Sequence, residues 1–420
     1  MAGSSKKAVR NLQTRSNAAA MTPFAKRRRC MPETLAARLN EDVLVASILP
    51  YYVDRKERLD AYAMYLRTPS GRERPGRYWK IDLDKLDISG HELGTLEVKL
   101  PASLPPGVVC IQLAEAFERY GTTLPWFGLA HGKFAALTHA FVNGGALLYV
   151  PAGTIAEEPI QISYRAQNGA VFPYTLVIAE ERSQVDIVES IRGSDGCFVA
   201  ALCEVHAKEG ARVRYASVQE LPSDAQTFSS RIAAPQKDAA ITWATADLGA
   251  HLCVSSIDVL CNATGIEAEI DALFFPHDDQ HVDLTTTVDH RVGESRSTTL
   301  VKSAASGAGQ ARYLGNIRIQ PSAHGTEANL KDDALLLSKD AHIDSVPALE
   351  IDANDVKAFH GATVGAIDED QLFYMISRGL ERCAAEKMIA LGFFEPVIER
   401  FSSQGVRDRV RAALEAKVTA

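Results

Sequence analysis

The chain has 420 residues, and its 53 aspartates and glutamates against 45 lysines and arginines give a net charge of −8, which does not favour a nucleic-acid partner. No apolar run reaches the ~20 residues of a membrane helix, so a membrane-spanning protein is excluded. Seven cysteines without a C-x-x-C pair exclude a disulfide framework and a zinc ribbon, and predict small buried apolar residues in a reducing compartment.

The first segment, residues 1–32, is strongly basic. Eight lysines and arginines precede the first acidic residue, Glu33, and the segment lacks the apolar core of a secretory signal. Such a composition is typical of a disordered tail or of an organelle transit peptide. We interpret it as a tail and expect a cytoplasmic protein, with a plastid or another organelle as the alternative if the segment is a transit peptide.

The second segment, residues 33–131, mixes helical signals with breaks. Apolar residues recur at helical spacing at Leu35 and Leu39, and again at Leu113 and Phe117. A charged stretch punctuated by Pro and Gly separates the two patterns. This spacing predicts a small N-terminal region of helices and irregular structure.

From residue 132 to residue 366, apolar and polar residues alternate in short runs. Many runs follow small-residue corners such as Glu209-Gly210-Ala211 and Ala263-Thr264-Gly265, which suit tight turns between strands. Strands recurring with hardly any helix indicate a mainly β protein, either a large sandwich or a β-solenoid, and the pattern alone leaves both open. The predicted strands include Tyr174–Ile178, Gln184–Val188, Arg212–Val218, Ile241–Ala246, Ile266–Leu273, Val282–Val288, Arg312–Ile319 and Ala341–Ile351.

The last segment, residues 367–420, returns to helical periodicity. Asp368 is a good N-cap residue, and Leu372, Phe373 and Ile376 recur on one face of the helix that follows. A strongly apolar stretch and a final amphipathic one predict further helices. These helices are interpreted either as a cap over the end of the β region or as a docking surface.

A histidine near the end of the β region is the first candidate for metal chemistry. His360 follows an acidic, strand-like run, and neutral imidazole is a good ligand for iron, zinc or copper. The acidic residues Glu350, Asp352 and Asp355 form a solvated strand face in one interpretation. If they instead line an interface near His360, they add oxygen ligands to its nitrogen, a set that suits iron more loosely than four thiolates would.

Other motifs with catalytic or ligand-like residues are interpreted as structural. His277 and His281 would stand about 13 Å apart in an extended chain, at ~3.3 Å per residue, so they cannot share one ion unless a loop folds back. Asp283, His290 and Ser295 follow the order of a hydrolase triad but lack the Gly-x-Ser-x-Gly elbow.

Neither of the two glycine-containing stretches has a complete nucleotide-binding motif. Gly307-Ala308-Gly309 lacks the third glycine of a dinucleotide loop and is followed by a strand pattern, and Gly132-Lys133 lacks the first glycine of a P-loop. ATP energy, if the protein uses it, must then come from a partner.

Several stretches of the chain resemble the SufB/SufD family of iron–sulfur cluster assembly proteins. The likeness extends from about Gly132 to Phe401. The stretches that carry it are Lys133–Leu137, Val150–Gly153, the run HVDLTTTVDHRVGES, Ala334–Ser338, the run LEIDANDVKAFHGATVG, Asp370–Tyr374 and Ser377–Gly379.

The resemblance implies a fold and a set of partners. The family's central domain is a right-handed parallel β-helix, so the resemblance favours the solenoid, flanked here by small N- and C-terminal helical regions. No cysteine lies between Cys261 and Cys383, so the likeness is to the SufD type rather than the SufB type. Such a subunit is a non-enzymatic scaffold that pairs with a SufB-like paralogue, binds a SufC-like ATPase and shares a transient Fe–S cluster with its partner.

The resemblance also implies which residues form the site. The position that matches the family's SufD histidine, a cluster ligand at the SufB interface, is His360. The C-terminal helices of the family bind SufC, and the positions expected to dock it are Leu372, Phe373, Arg378, Phe393 and Phe394.

Two alternatives remain. A SufB-like homodimeric scaffold would be expected to carry a cysteine near the final strands, and none is present. A β-helix carbohydrate enzyme, a different class, would use exposed aromatic platforms. Its candidates, Trp79, Trp126 and Trp243, are scattered and are interpreted as packing residues.

Overall fold

Residues 55–68, 81, 91–128 and 132–419 are described by a computed structural model. All of them belong to one compact unit. The predictions made for residues 1–32, for the helical pattern at Leu35 and Leu39, and for Trp79 fall outside these residues.

The β region forms two sheets, and from β6 onward successive strands alternate between them. The first sheet contains β1 (Thr95–Lys99), β4 (Ile160–Gln167), β7 (Gln184–Gly193), β9 (Arg212–Gln219), β11 (Ala240–Asp247), β13 (Glu267–Phe274), β15 (Arg296–Ala305), β17 (Thr326–Leu336) and β19 (Val356–Ala366). The second contains β2 (Val109–Gln112), β3 (Gly144–Val150), β5 (Ala170–Val171), β6 (Pro173–Ala179), β8 (Phe198–Ala207), β10 (Gln226–Ala233), β12 (Leu252–Cys261), β14 (His281–His290), β16 (Gln310–Ile319) and β18 (His342–Ile351).

Apart from the first strand of each sheet, neighbouring strands pair in parallel and in register from one coil to the next, as β15, β17 and β19 do. The fold is therefore a β-solenoid of about eight turns, which confirms the predicted fold class. Each predicted strand is present, because period-two alternation places one face in the lumen between the sheets and the other outside. The predicted corners turn at Gly210 and Gly265, whose φ angles of +67° and +72° favour glycine.

The N-terminal end differs from the prediction. Residues 33–131 contain β1 and β2, which extend the two sheets by antiparallel pairing with β4 and β3. At five and four residues, these strands are too short for a strong period-two signal. The helices described here are α1 (Arg55–Arg67), α2 (Leu113–Tyr120), α3 (Lys133–Phe141), α4 (Glu369–Ser377), α5 (Arg382–Ile398) and α6 (Gln404–Thr419), with a 3₁₀ turn at Gly121–Thr123.

The C-terminal helices α5 and α6 lie against the flank of the solenoid and not over its end. Asp368 caps α4 as predicted, because its Oδ1 accepts from the backbone nitrogens of Asp370 and Gln371. Apolar residues of α5 and α6, among them Phe394 and Val410, pack on outward-facing residues of the first sheet. The interpretation of these helices as an end cap is therefore wrong. No helix in the described ranges is both long and apolar enough to cross a bilayer.

A buried carboxyl lies where the helical unit meets the solenoid. Asp271 on β13 is 1% exposed, and the Arg400 guanidinium just after α5 lies 3.9 Å from its Oδ1. Burial, with a smaller contribution from Glu269, raises the Asp271 pKa to about 7, while Arg400 opposes the rise. The folded protein thus holds this proton up to a higher pH than the unfolded chain, which releases it near the ordinary value of 3.8.

We expect the contribution of Asp271 to the free energy of unfolding to fall as the pH rises. Between pH 4 and 7 its contribution falls by up to about 1.4 kcal/mol per pH unit, and above pH 7 it no longer changes. Asp271→Asn removes this slope, so the variant should gain stability relative to wild type as the pH rises from 5 to 7. Urea unfolding at several pH values measures the difference, and parallel pH profiles for the two proteins would contradict the assignment.

Candidate functional site

The solenoid ends in two strands that lack a neighbour on one side. β18, of 10 residues, is the last strand of the second sheet, and β19, of 11 residues, is the last strand of the first. Each strand has backbone groups along its outer edge that pair with no further strand in the described ranges. At the opposite end, β1 is only 5 residues long and carries Glu97 and Lys99. β18 and β19 are about twice as long, although they also carry Asp344, Glu350 and Lys357, and long exposed edge strands invite pairing more than short ones do. We refer to the long open edge of β18 and β19 as the pairing edge.

Strand register places His360 on the lumen side of this end. His360 pairs with Leu330 of β17, and Leu330 is 1% exposed in the core between the sheets. Paired residues in a parallel ladder project to the same face, so His360 stands above Leu330 in the column of lumen residues. No coil follows to cover it, and the side chain is exposed. The histidine is thus accessible from the end of the stack.

The same end of the solenoid exposes large apolar side chains on β18 and β19. Phe359 is 67% exposed, Val364 43% and Ile351 40%. The outward side of β19 has open space at Gly361 and Gly365, where a Cβ would meet no atom within 4 Å. Exposed large apolar residues along an unpaired edge are typical of a surface that another chain covers.

The acidic residues predicted near His360 are not gathered around it. Glu350 lies on the outer face of the second sheet, and its Oε2 lies 3.0 Å from Nε of Arg318. Asp352 and Asp355 are exposed in the turn between β18 and β19, where their backbone groups bond Ile319 and Gly325. Five residues of extended chain, roughly 16 Å, separate Asp355 from His360. The structure therefore supports the solvated-face interpretation of Glu350.

A different carboxylate lies near the open end, and the sequence patterns did not single it out. Asp332 of β17 is fully buried on the lumen side, in register with Ala362 of β19. Its Oδ2 accepts a hydrogen bond from the Ser345 hydroxyl of β18. Burial is the main reason that the Asp332 pKa rises to about 6; the Ser345 hydrogen bond opposes the rise. The one sequence signal was its place in the strand alternation beside Leu330.

No metal centre is complete within this part of the chain. Over the described residues, no three His, Cys, Asp or Glu side chains approach closely enough to hold an ion. Five of the six described cysteines are buried, as predicted, and burial raises the pKa of the Cys110 thiol to about 12. Cys383 is exposed, which corrects its interpretation as a core residue. Neither β18 nor β19 carries a cysteine.

Some of the residues expected to dock a partner are exposed on the surface, and others are buried in the core. Phe373 of α4 is 73% exposed, and the Arg378 guanidinium lies 5.0 Å from the ring centre of the exposed Tyr374. Leu372 and Phe394 are buried, so they support the helices and offer no surface to a partner. Phe393 is half-buried, with the Lys302 ammonium 4.4 Å from its ring centre.

The hydrolase-like residues do not form a triad. His290 Nδ1 lies 2.7 Å from the Ser295 hydroxyl, and its Nε2 bonds Ser297 and no carboxylate. Asp283 instead pairs with the Arg312 guanidinium, whose Nε donates to Oδ2 at 2.6 Å. His290 is fully buried, and burial lowers its pKa to about 4. The histidine is therefore a neutral core residue.

The remaining candidates are also structural. His277 Nδ1 bonds the Ser306 hydroxyl at 2.7 Å in a turn, and Gly307 has the positive φ of a turn glycine, +63°. Trp243 is fully buried in the lumen core, and the Trp126 ring packs at a tilt against Phe117, with ring centres 4.3 Å apart. Neither of these two tryptophans offers a sugar platform.

Comparison with known proteins assigns most of the solenoid to a described family. A family model described as "SUF system FeS cluster assembly, SufBD core domain" matches residues 162–393, more than half of the chain. The match runs from within β4 through β19 and reaches into α5.

Several curated proteins are similar to this chain. The SufD protein of Bacillus subtilis is 30% identical over 68% of this chain and 67% of its own length, and the SufB protein of the same organism is 28% identical over 63% and 58%. A SufBD family protein of Mycobacterium leprae is 30% identical over 62% of this chain. The chain spans 31% of that protein's length. This chain therefore belongs to the SufB/SufD family of iron–sulfur cluster assembly proteins.

Proposed function

We propose that the chain is a SufD-like, non-enzymatic scaffold subunit that pairs with a SufB-like paralogue through β18 and β19. The observation that carries the proposal is the long unpaired edge with His360 above the lumen. A partner strand added to this edge would bond its backbone groups and cover Phe359 and Val364. His360 would then face the partner across a closed interface.

The transient Fe–S cluster would be assembled at that interface. This chain offers an imidazole there but no thiolate, because neither terminal strand carries a cysteine. Clusters are most often held by cysteine thiolates, so the partner must supply them. The mixed ligation would hold the cluster less tightly than four thiolates, which suits a scaffold that passes its product on. Iron and sulfide are substrates here and not resident cofactors.

The second surface is α4, where a SufC-like ATPase would dock. Phe373, Tyr374 and Ile376 are exposed apolar residues of this helix, and Met388 of α5 is 55% exposed. Exposed apolar residues this close together usually mark an interaction site. Since the sequence has no nucleotide motif, ATP hydrolysis would be the partner's contribution.

The docking proposal predicts that one phenylalanine of the C-terminal helices matters for binding and another for stability. Phe373→Ala should weaken binding of the ATPase while changing the free energy of unfolding by no more than about 0.5 kcal/mol, because the ring is exposed. Phe394→Ala should cost about 3–5 kcal/mol of stability, because the ring is buried. Pull-down and urea unfolding of both variants measure this, and unchanged binding by Phe373→Ala would remove α4 from the interface.

A homodimeric, SufB-like scaffold is the second candidate, because the open edge would also accept a second copy. The absence of a cysteine on β18 and β19 disfavours it. Purification of the full chain from its own cells, followed by native mass spectrometry, separates the two. A complex with a second, homologous chain and an ATPase supports the SufD-like role. Recovery of a homodimer that builds clusters by itself would overturn it.

A further inference from the structure

We infer that Asp332 is the oxygen ligand through which this chain, together with His360, takes up iron(II) at the open end of the solenoid. The inference rests on the proposed function and names a residue within that site. It replaces Glu350, whose carboxylate projects to the outer face and pairs with Arg318.

Position is the first argument. Asp332 and His360 project to the same lumen face of adjacent strands, since Asp332 is in register with Ala362, two residues beyond His360. With strands ~4.8 Å apart and ~3.3 Å per residue along a strand, such diagonal neighbours lie roughly 8 Å apart at their Cα atoms, within reach of a shared ion. β19 is the last strand of the first sheet, so only the small side chain of Ala362 stands between Asp332 and the end of the stack in its column of lumen residues. The carboxylate therefore lies one coil inside the open end.

An unsatisfied buried atom is the second argument. Asp332 Oδ1 is buried and has no hydrogen-bond partner among the described residues, while Oδ2 is held by Ser345. A buried carboxylate oxygen without a partner is costly, and such atoms in native proteins usually mark a bound water, proton or ion. The neighbouring Asp333 differs, because its carboxylate faces outward and Oδ2 accepts from Lys302 at 2.7 Å. Of the two carboxylates, only Asp332 has a buried oxygen without a hydrogen-bond partner among the described residues.

The chemistry of the two groups indicates the ligand. A carboxylate oxygen with an imidazole nitrogen suits iron(II), and it lacks the soft donors that favour copper(I). Two residues do not complete a coordination sphere, in keeping with the absence of a three-residue cluster in the described ranges. Water, sulfide or the partner chain would supply the remainder. Iron(II) bound here would be placed at the interface before the cluster forms.

The test measures iron(II) binding by the complex purified from its own cells, with ferrous ion as the only added ligand and a chromogenic chelator as competitor under anaerobic conditions. Asp332→Asn and His360→Ala should each weaken binding at least tenfold without loss of the partner. Asp333→Asn is the matched control and should bind as wild type does. Ser345→Ala should retain binding, because it removes the hydroxyl and leaves the carboxylate.

The outcomes separate this inference from the proposed function. Iron(II) binding that falls for His360→Ala and stays at the wild-type level for Asp332→Asn would overturn the role of Asp332 and leave the proposed function intact. If His360→Ala also binds iron and builds clusters normally, the proposed function fails as well. An Asp332→Asn variant that changes only the melting temperature would show a purely structural carboxylate, which also overturns the inference.

Discussion

Replacing His360 with alanine is expected to abolish most cluster assembly while leaving the complex intact. The side chain is exposed above Leu330, so its removal leaves no cavity in the core. Mutating a group that only orients a metal ligand typically lowers metal affinity roughly 10–100-fold. Loss of a direct ligand should therefore reduce the cluster yield at least tenfold. Iron and sulfide quantified in the purified complex, together with size-exclusion chromatography, measure the two effects.

His342 provides the matched control for this experiment. It is also exposed and lies on a terminal strand, but at the start of β18, where its Nε2 bonds Asp344 at 3.2 Å. His342→Ala should therefore assemble clusters at the wild-type level. Equal yields from His360→Ala and wild type would remove His360 from the site, and equal losses from both histidine variants would point to a general effect of the strands.

The second large effect is expected from a charge on the pairing edge. Val364 of β19 is 43% exposed and lies in the lumen column that a partner would cover. Val364→Lys would bury an unpaired ammonium at the interface, which costs about 3 kcal/mol, or roughly a hundredfold in Kd. We expect the variant to fold as a separate subunit and to lose its partner, as measured by analytical ultracentrifugation.

The opposite end of the solenoid offers the control for the edge variant. Thr95 is exposed on the short strand β1, so Thr95→Lys introduces the same charge at the edge that is not expected to pair. Its association should match that of wild type. Retained pairing by Val364→Lys would show that the partner binds elsewhere and would also remove the reason to place the cluster at His360.

The proposed partners would occupy separate parts of the molecule. The pairing edge is formed by β18 and β19, whereas the exposed residues Phe373 and Tyr374 lie on α4, beyond the end of β19. Because α5 and α6 pack on the flank of the first sheet, they leave the pairing edge free. Variants at one surface should consequently leave binding at the other unchanged, and this independence makes the predictions separable.

Sequence periodicity was sufficient for the long strands of the solenoid, but not for the short strands β1 and β2, and a capping residue marked the start of α4. Alternation with period two marks a strand wherever one face is buried, and corners such as Gly210 need only local backbone geometry. Asp368 was identifiable as a cap because its hydrogen bonds join residues two and three positions apart. The choice between sandwich and solenoid depended on family resemblance, because both fold classes share the same alternation.

The sequence by itself determined the strand pattern, the place of His360 near the end of that pattern, and the absence of a cysteine beside it. Only the tertiary structure decided which residues meet there. Glu350 and His360 are separated because they project to different sides of different sheets, and Asp332 approaches the end because of pairing across 30 residues of sequence. Phe394 is buried because α5 packs on the flank of the solenoid, whereas Phe373 on α4 remains exposed. Such long-range contacts leave no local signal, because strand register and helix packing are set by elements distant in the chain.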